Sequence, residues 1–156
     1  MASPVDPGHV VAKKHGQERS PHWATVRDRH IKMEPKCQMC GDAAKLQVHH
    51  VIPFHICILL DRPELELDHR NLITLCACKE HMHHELLGHL DDFSSFNPKV
   101  RSHKKKFGKL TSAEIEENAV WLKLEKARPK DWGKMTAAQQ AALKTLVNKL
   151  FPLVTN

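Results

Sequence analysis

Leu46-Gln47-Val48-His49-His50-Val51-Ile52 reads as a β-strand that Pro53 stops. The stretch from Phe54 to Arg70 is long and irregular, with acidic residues at Asp61, Glu64, Glu66 and Asp68. Leu72-Ile73-Thr74-Leu75 is a second short strand, and a helix is expected from near His83 to about Leu90. The order is strand, long loop, strand, helix. Around it lie Cys37-Gln38-Met39-Cys40 on one side and Cys76 with His81-Met82-His83-His84 on the other.

Working outward, residues 1–19 contain Pro4, Pro7, Gly8 and Gly16 without periodicity and read as a flexible arm. Ser20-Pro21 has the form of an N-cap followed by proline at the first helical position. A helix from about Pro21 to Met33 would carry Trp23, Val26 and His30 on one face, and Pro35 ends it. Beyond Asn97-Pro98 the character changes. Six positive charges and no acid fall in residues 99–109: Lys99, Arg101, Lys104, Lys105, Lys106 and Lys109. Thr111-Ser112-Ala113-Glu114 is a capping-box pattern opening a helix to about Ala127, and Thr136-Ala137-Ala138-Gln139 is a second. Leu143, Leu146, Val147 and Leu150 then follow amphipathic spacing as far as Pro152. These shifts divide the chain into an arm at 1–19, a central domain at 20–98, and a basic segment with a C-terminal helical extension at 99–156.

A chain of 156 residues suits one domain with appended arms. Aromatics are 5% and tyrosine is absent, so large core side chains are few, a shortage that small modules often meet with bound metal. The net charge of +6 suits an anionic partner such as nucleic acid. The first residues lack the apolar stretch of a secretory signal, and the longest apolar run, Ile56-Cys57-Ile58-Leu59-Leu60, is too short to cross a bilayer. A cytoplasmic protein with no membrane partner is the expectation. Five cysteines, two of the spacings tight, then favour thiolates on metal over a disulfide framework.

Cys37-x-x-Cys40 followed by Gly41 is the knuckle geometry of half a tetrahedral zinc site. Cys76, directly after the second strand, is the third ligand, and spacing leaves the fourth open among Cys78, His81 and His83. Cys57, inside an apolar run, is read as a core residue. The imidazoles suit a different task. Hydrolysing a phosphodiester requires a base that titrates near neutrality and a cation to neutralise charge. The His49-His50 doublet can supply both if one ring takes the metal and the other the water. Successive strand residues point to opposite faces, so both rings reach one phosphate only where the strand ends or bulges.

Cys37-x-x-Cys40, Val48-His49-His50-Val51-Ile52-Pro53-Phe54, Asn71-Leu72-Ile73-Thr74-Leu75-Cys76, His84 and Gly88-His89 together resemble an HNH endonuclease. The likeness is closest to the zinc-stapled type of phages and bacteria, and covers about residues 20–98. It implies an α+β fold: a small ββα-metal (His-Me finger) core with a preceding helix and C-terminal helices. By this resemblance His49 and His84 correspond to ligands of the catalytic cation, and His50 to the general base. Asn71 corresponds to the middle residue, which braces the loop carrying the base or approaches the metal. His83 falls where many relatives have the cysteine that closes the zinc site, with His81 and Cys78 as substitutes.

The function so implied is metal-dependent hydrolysis of DNA, with Mg²⁺ (or Mn²⁺, Ni²⁺ or Zn²⁺) at the catalytic site and zinc as a structural staple. The setting would be a bacterial host or phage-infected cell, and a phage packaging or recombination machine is a candidate partner. The competing reading is a zinc-stapled DNA-binding module without catalysis, which has no need for His49, His50, Asn71 and His84 together. His55, His69 and His89 are read as hydrogen-bonding or structural groups. His89 lies five residues after His84, off its α-helical face. The three tryptophans, Trp23, Trp121 and Trp132, are read as packing anchors.

Overall fold

The computed structural model describes residues 20–91, 96–118 and 135–154. The N-terminal arm, the helix expected beyond residue 118, Trp121 and Trp132 lie outside the described residues. Helix α1 spans Trp23–Met33, strand β1 Leu46–His50, helix α2 Phe54–Leu59 and strand β2 Leu72–Cys76. A π-helical turn at His84–Gly88 follows, then short helices α3 (Lys104–Phe107) and α4 (Ser112–Glu117), and the longer α5 (Ala137–Leu150). The fold is α+β, built on a small ββα core.

The two strands pair antiparallel, with His49 opposite Ile73 and His50 opposite Leu72. His50 is the last residue of β1, so the strand ends where the imidazole doublet sits. The inter-strand segment is more ordered than the sequence suggested. Pro53 stops β1 but also opens α2, where an unbroken apolar run gives no helical period to read. Two 3-10 turns, Pro63–Glu66 and His69–Asn71, complete the segment. Helix α1 begins at Trp23, slightly later than expected, with Ser20 still anchoring its entry by accepting from the backbone N–H of His22. Both capping boxes are present, Thr111 with Glu114 and Thr136 with Gln139.

Ile52, Leu75, Leu86, Leu87, Val100, Ile115 and Val147 are fully shielded and belong to one cluster. Helix α5 thus folds back onto the ββα core through Leu143 and Val147, each such side chain contributing ~1.5–3 kcal/mol when wholly buried. The buried guanidinium of Arg62 fastens this arrangement. It pairs with Glu64 and donates to Asn148 Oδ1 at 2.9 Å and to the Phe151 carbonyl at 2.8 Å. Arg70 donates to the Pro152 carbonyl at 2.8 Å, so the end of α5 is tied twice to the inter-strand segment. No helix among the described residues is long and apolar enough to cross a membrane.

Candidate metal centres and the histidine pair

Cys37, Cys40, Cys76 and His83 converge, their ligand atoms all within 4.8 Å of one another. Gly41, at φ 80°, takes the left-handed conformation that turns the knuckle after Cys40. Two sulfurs ~2.3 Å from a tetrahedral zinc lie ~3.8 Å apart. Cys40 and Cys76 Sγ are 3.8 Å apart, and His83 Nδ1 lies 3.7 Å from the sulfurs of both Cys37 and Cys76. The donor set fits zinc. His83 Nε2 sits 2.9 Å from the carbonyl of Leu110 and must donate to it, which leaves the Nδ1 lone pair facing the thiols.

The protons of the cluster are shared unequally. Hydrogen bonds from Cys76 and then His83 hold Cys37 well below the usual thiol range, while burial pushes Cys40 up and the neighbouring Cys37 pushes Cys76 up. Crowded thiols cannot all ionise unaided, and a divalent cation removes that conflict.

A second convergence faces the other way from β1. His49, His84 and His89 bring their ring nitrogens within 4.8 Å, with ring centroids 4.6 to 5.1 Å apart. Among the described residues, the buried His49 Nε2 has no hydrogen-bond partner, an orphan that a cation would satisfy. Burial and the nearby His89 keep His49 and His84 neutral, His84 down to about 4 and His49 also well below its ordinary range. Neutral rings offer lone pairs, so the trio fits a metal as well.

His89 was not expected here. Five residues fall roughly 140° apart around an α-helix, which would turn His89 away from His84. Over His84–Gly88 the backbone is instead π-helical, and the His89 N–H bonds to the His84 carbonyl at 3.1 Å. That wide turn, a form frequent at functional sites, restores alignment at a spacing of five. Left-handed Leu90 and Asp91, at φ 54° and 64°, end it about where the helix was expected to stop.

Gly88 lies against the same site. A methyl group there would meet His49 Nε2 at 3.2 Å and Leu75 Cδ1 at 3.1 Å. Gly88→Ala should push the His49 ring aside and weaken Mn²⁺ binding on the order of 10-fold or more. Isothermal titration checks this, and unchanged affinity would mean that His49 Nε2 is not a ligand.

His50 takes the opposite face of the strand. Its Nε2 lies 2.8 Å from the backbone carbonyl of Glu66, which can only accept, so Nε2 carries the proton and Nδ1 the lone pair. Trp23 of α1 stacks on the ring at 4.4 Å. Trp23 is therefore a neighbour of the site, not merely a packing anchor, and nothing in its sequence position signals this.

Asn71, fully buried, sets the carbonyl that orients His50. Its side chain accepts from the Ile52 N–H at 2.8 Å and donates to the carbonyls of Ile52 and Leu65, each at 3.0 Å. It thus bridges the chain just after His50 to the residue just before Glu66. Asn71→Asp removes both donors and should cost ~1–3 kcal/mol for the Leu65 carbonyl left unpaired, while the Ile52 carbonyl keeps the Cys57 thiol as a donor. A denaturant melt reads that loss; an unchanged midpoint would mean that the bridge carries no load.

Cys57 is buried, donates to the Ile52 carbonyl, and has its thiol pushed up by burial, as suits a core residue. His69 pairs with the buried His30 at 3.0 Å, away from both clusters. Neither the curated proteins nor the solved structures give a match to the chain. The family model described as HNH endonuclease matches residues 37–85, a span that holds the thiolate cluster, His49, His50, Asn71 and His84. The likeness to the HNH endonuclease family is thus found over residues 37–85, less than half of the chain.

Proposed function

We propose that the chain hydrolyses phosphodiester bonds of DNA, with His50 as general base and His49, His84 and His89 holding a divalent cation. The observation that carries this reading is the fixed tautomer of His50. Its Nε2–H is committed to Glu66, so the Nδ1 lone pair is the atom that accepts a proton from the attacking water. His49, His84 and His89 would hold the cation, which when bound would neutralise phosphate charge and stabilise the departing oxygen. Three nitrogen donors without a carboxylate favour Mn²⁺, Ni²⁺ or Zn²⁺ over Mg²⁺. Asn71 acts as a positioning residue through the Leu65-Glu66 backbone. Zinc on Cys37, Cys40, Cys76 and His83 is structural, since all four positions are filled by protein.

The basic segment supports a nucleic-acid substrate. Arg101 is engaged structurally, bonding the Leu72 carbonyl and, at 3.0 Å, Glu34. Because Leu72 pairs with His50, this clamp brings the segment to the end of the sheet that carries the base. Lys104, Lys105 and Lys106 remain exposed on α3 for phosphates. Replacing by alanine a lysine that neutralises one phosphate should make the log–log slope of affinity against salt shallower by ~0.9. Titrating labelled duplex DNA at several salt concentrations measures that slope, and an unchanged slope in the triple variant would place the lysines off the phosphate path.

The deciding experiment is incubation of the purified full chain with supercoiled plasmid and Mn²⁺ or Mg²⁺. Conversion to nicked or linear DNA is the expected outcome. Retention of plasmid without any scission, at every cation tried, would instead favour the zinc-stapled binding module.

A further inference from the structure

Beyond the tetrahedral cluster, a second set of ligands converges on the same sulfur. Cys76, Cys78 and His81 also bring their ligand atoms within 4.8 Å of one another. Cys78 Sγ lies 3.6 Å from His81 Nδ1 and 3.8 Å from the Asp42 carboxylate, spacings of the same size as those in the first cluster. Cys76 is therefore common to two sets, with Cys37, Cys40 and His83 on one side and Cys78 and His81 on the other.

The backbone is shaped for this. The Met82 N–H bonds to the Cys78 carbonyl at 2.8 Å, closing a turn, and Met82 itself is left-handed at φ 49°. Such a conformation is disfavoured for a residue with a side chain. Here it reverses the chain between His81 and His83, whose rings lie 5.2 Å apart, so that each serves a different set around one sulfur. Asp42 is held in place from the knuckle side, its carbonyl accepting from Cys37 and its carboxylate from Ala44. Cys78, His81 and Asp42 are all partly exposed, so an ion can reach them from solvent after the inner cluster has formed.

We infer that Cys78 and His81 bind a second thiophilic divalent ion, with the thiolate of Cys76 bridging it to the first and the Asp42 carboxylate beside Cys78 adding negative charge. The donors are two sulfurs and one nitrogen, a set suited to Zn²⁺ or Cd²⁺ and not to Mg²⁺. A bridging thiolate spreads its single negative charge over two cations, so one buried sulfur serves both without a further ionised group in the core. The site is independent of the imidazole trio and of whether the chain cleaves DNA.

Cadmium-113 NMR of the full-length protein loaded with excess cadmium tests this, because thiolate-bound cadmium resonates apart from cadmium held by nitrogen alone. The expected spectrum has two thiolate-ligated signals, coupled to each other through the shared sulfur. Cys78→Ser should remove one signal and leave the other. His81→Ala should weaken the same signal, a check if the cysteine variant folds poorly. One thiolate-ligated signal in the unmodified protein would overturn the proposal, as would two signals that survive in Cys78→Ser.

Discussion

Replacing His50 by alanine should lower plasmid cleavage by ~10²–10⁴-fold, the range that a positioned general base contributes. The ring that disappears is held both at its edge and on its plane. Glu66 fixes its proton at 2.8 Å, and Trp23 stacks on it at 4.4 Å. Neither contact involves the thiolate cluster, so zinc content should be unchanged. The substitution leaves a small gap beneath Trp23, and a modest loss of thermal stability is expected with it. Measuring cleavage rate, zinc content and melting together separates the two effects. Cleavage within a few-fold of the unmodified protein would remove His50 from the role of base, whatever the change in melting.

Breaking the thiolate cluster should have the other large effect. A structural zinc site contributes ~10–16 kcal/mol of apparent binding free energy to folding. Whole domains are stable by only ~5–15 kcal/mol, so loss of that ion competes with the entire stability of the chain. The geometry says why nothing else substitutes for it. Cys37 and Cys40 come from the knuckle, Cys76 from the end of β2, and His83 from the entry to the π-helical turn. His83 then reaches on to Leu110 of the basic segment. One ion there would join three stretches directly, and a fourth through His83, over a core poor in aromatic residues. Cys37→Ser, or chelation of the native protein, is expected to abolish the cooperative thermal transition seen by circular dichroism. A stripped protein that melts as before would show that the apolar cluster suffices.

Much of this was legible in the sequence because the signals were local. Pro53 marks the end of β1, and the two capping boxes announce the starts of α4 and α5 within four residues each. The knuckle is equally local, since Cys37 and Cys40 need only the turn at Gly41 to face one ion. The fourth ligand was not, because Cys78, His81 and His83 are equally near in sequence. Only the left-handed Met82 separates His81 from His83 and sends them to different sets.

His89 escaped for a different reason. A spacing of five is off-face for an α-helix, and no residue type between His84 and His89 announces a π turn. Trp23 and the Glu66 carbonyl were out of reach altogether. One arrives by packing of α1 across the sheet, and the other is a backbone group whose direction depends on Asn71 further along the chain. The docking of α5 rests likewise on Arg62, a charged residue that composition would place at the surface.

The proposed division of labour across β1, metal on one face and base on the other, is open to one paired measurement. Mn²⁺ binding, followed by electron paramagnetic resonance, is to be recorded beside plasmid cleavage for the unmodified protein, His50→Ala and His84→Ala. His84→Ala is predicted to lose both the bound Mn²⁺ and the cleavage, while His50→Ala keeps the Mn²⁺ and loses only the cleavage. Undiminished Mn²⁺ binding in His84→Ala, or undiminished cleavage in His50→Ala, would contradict that division.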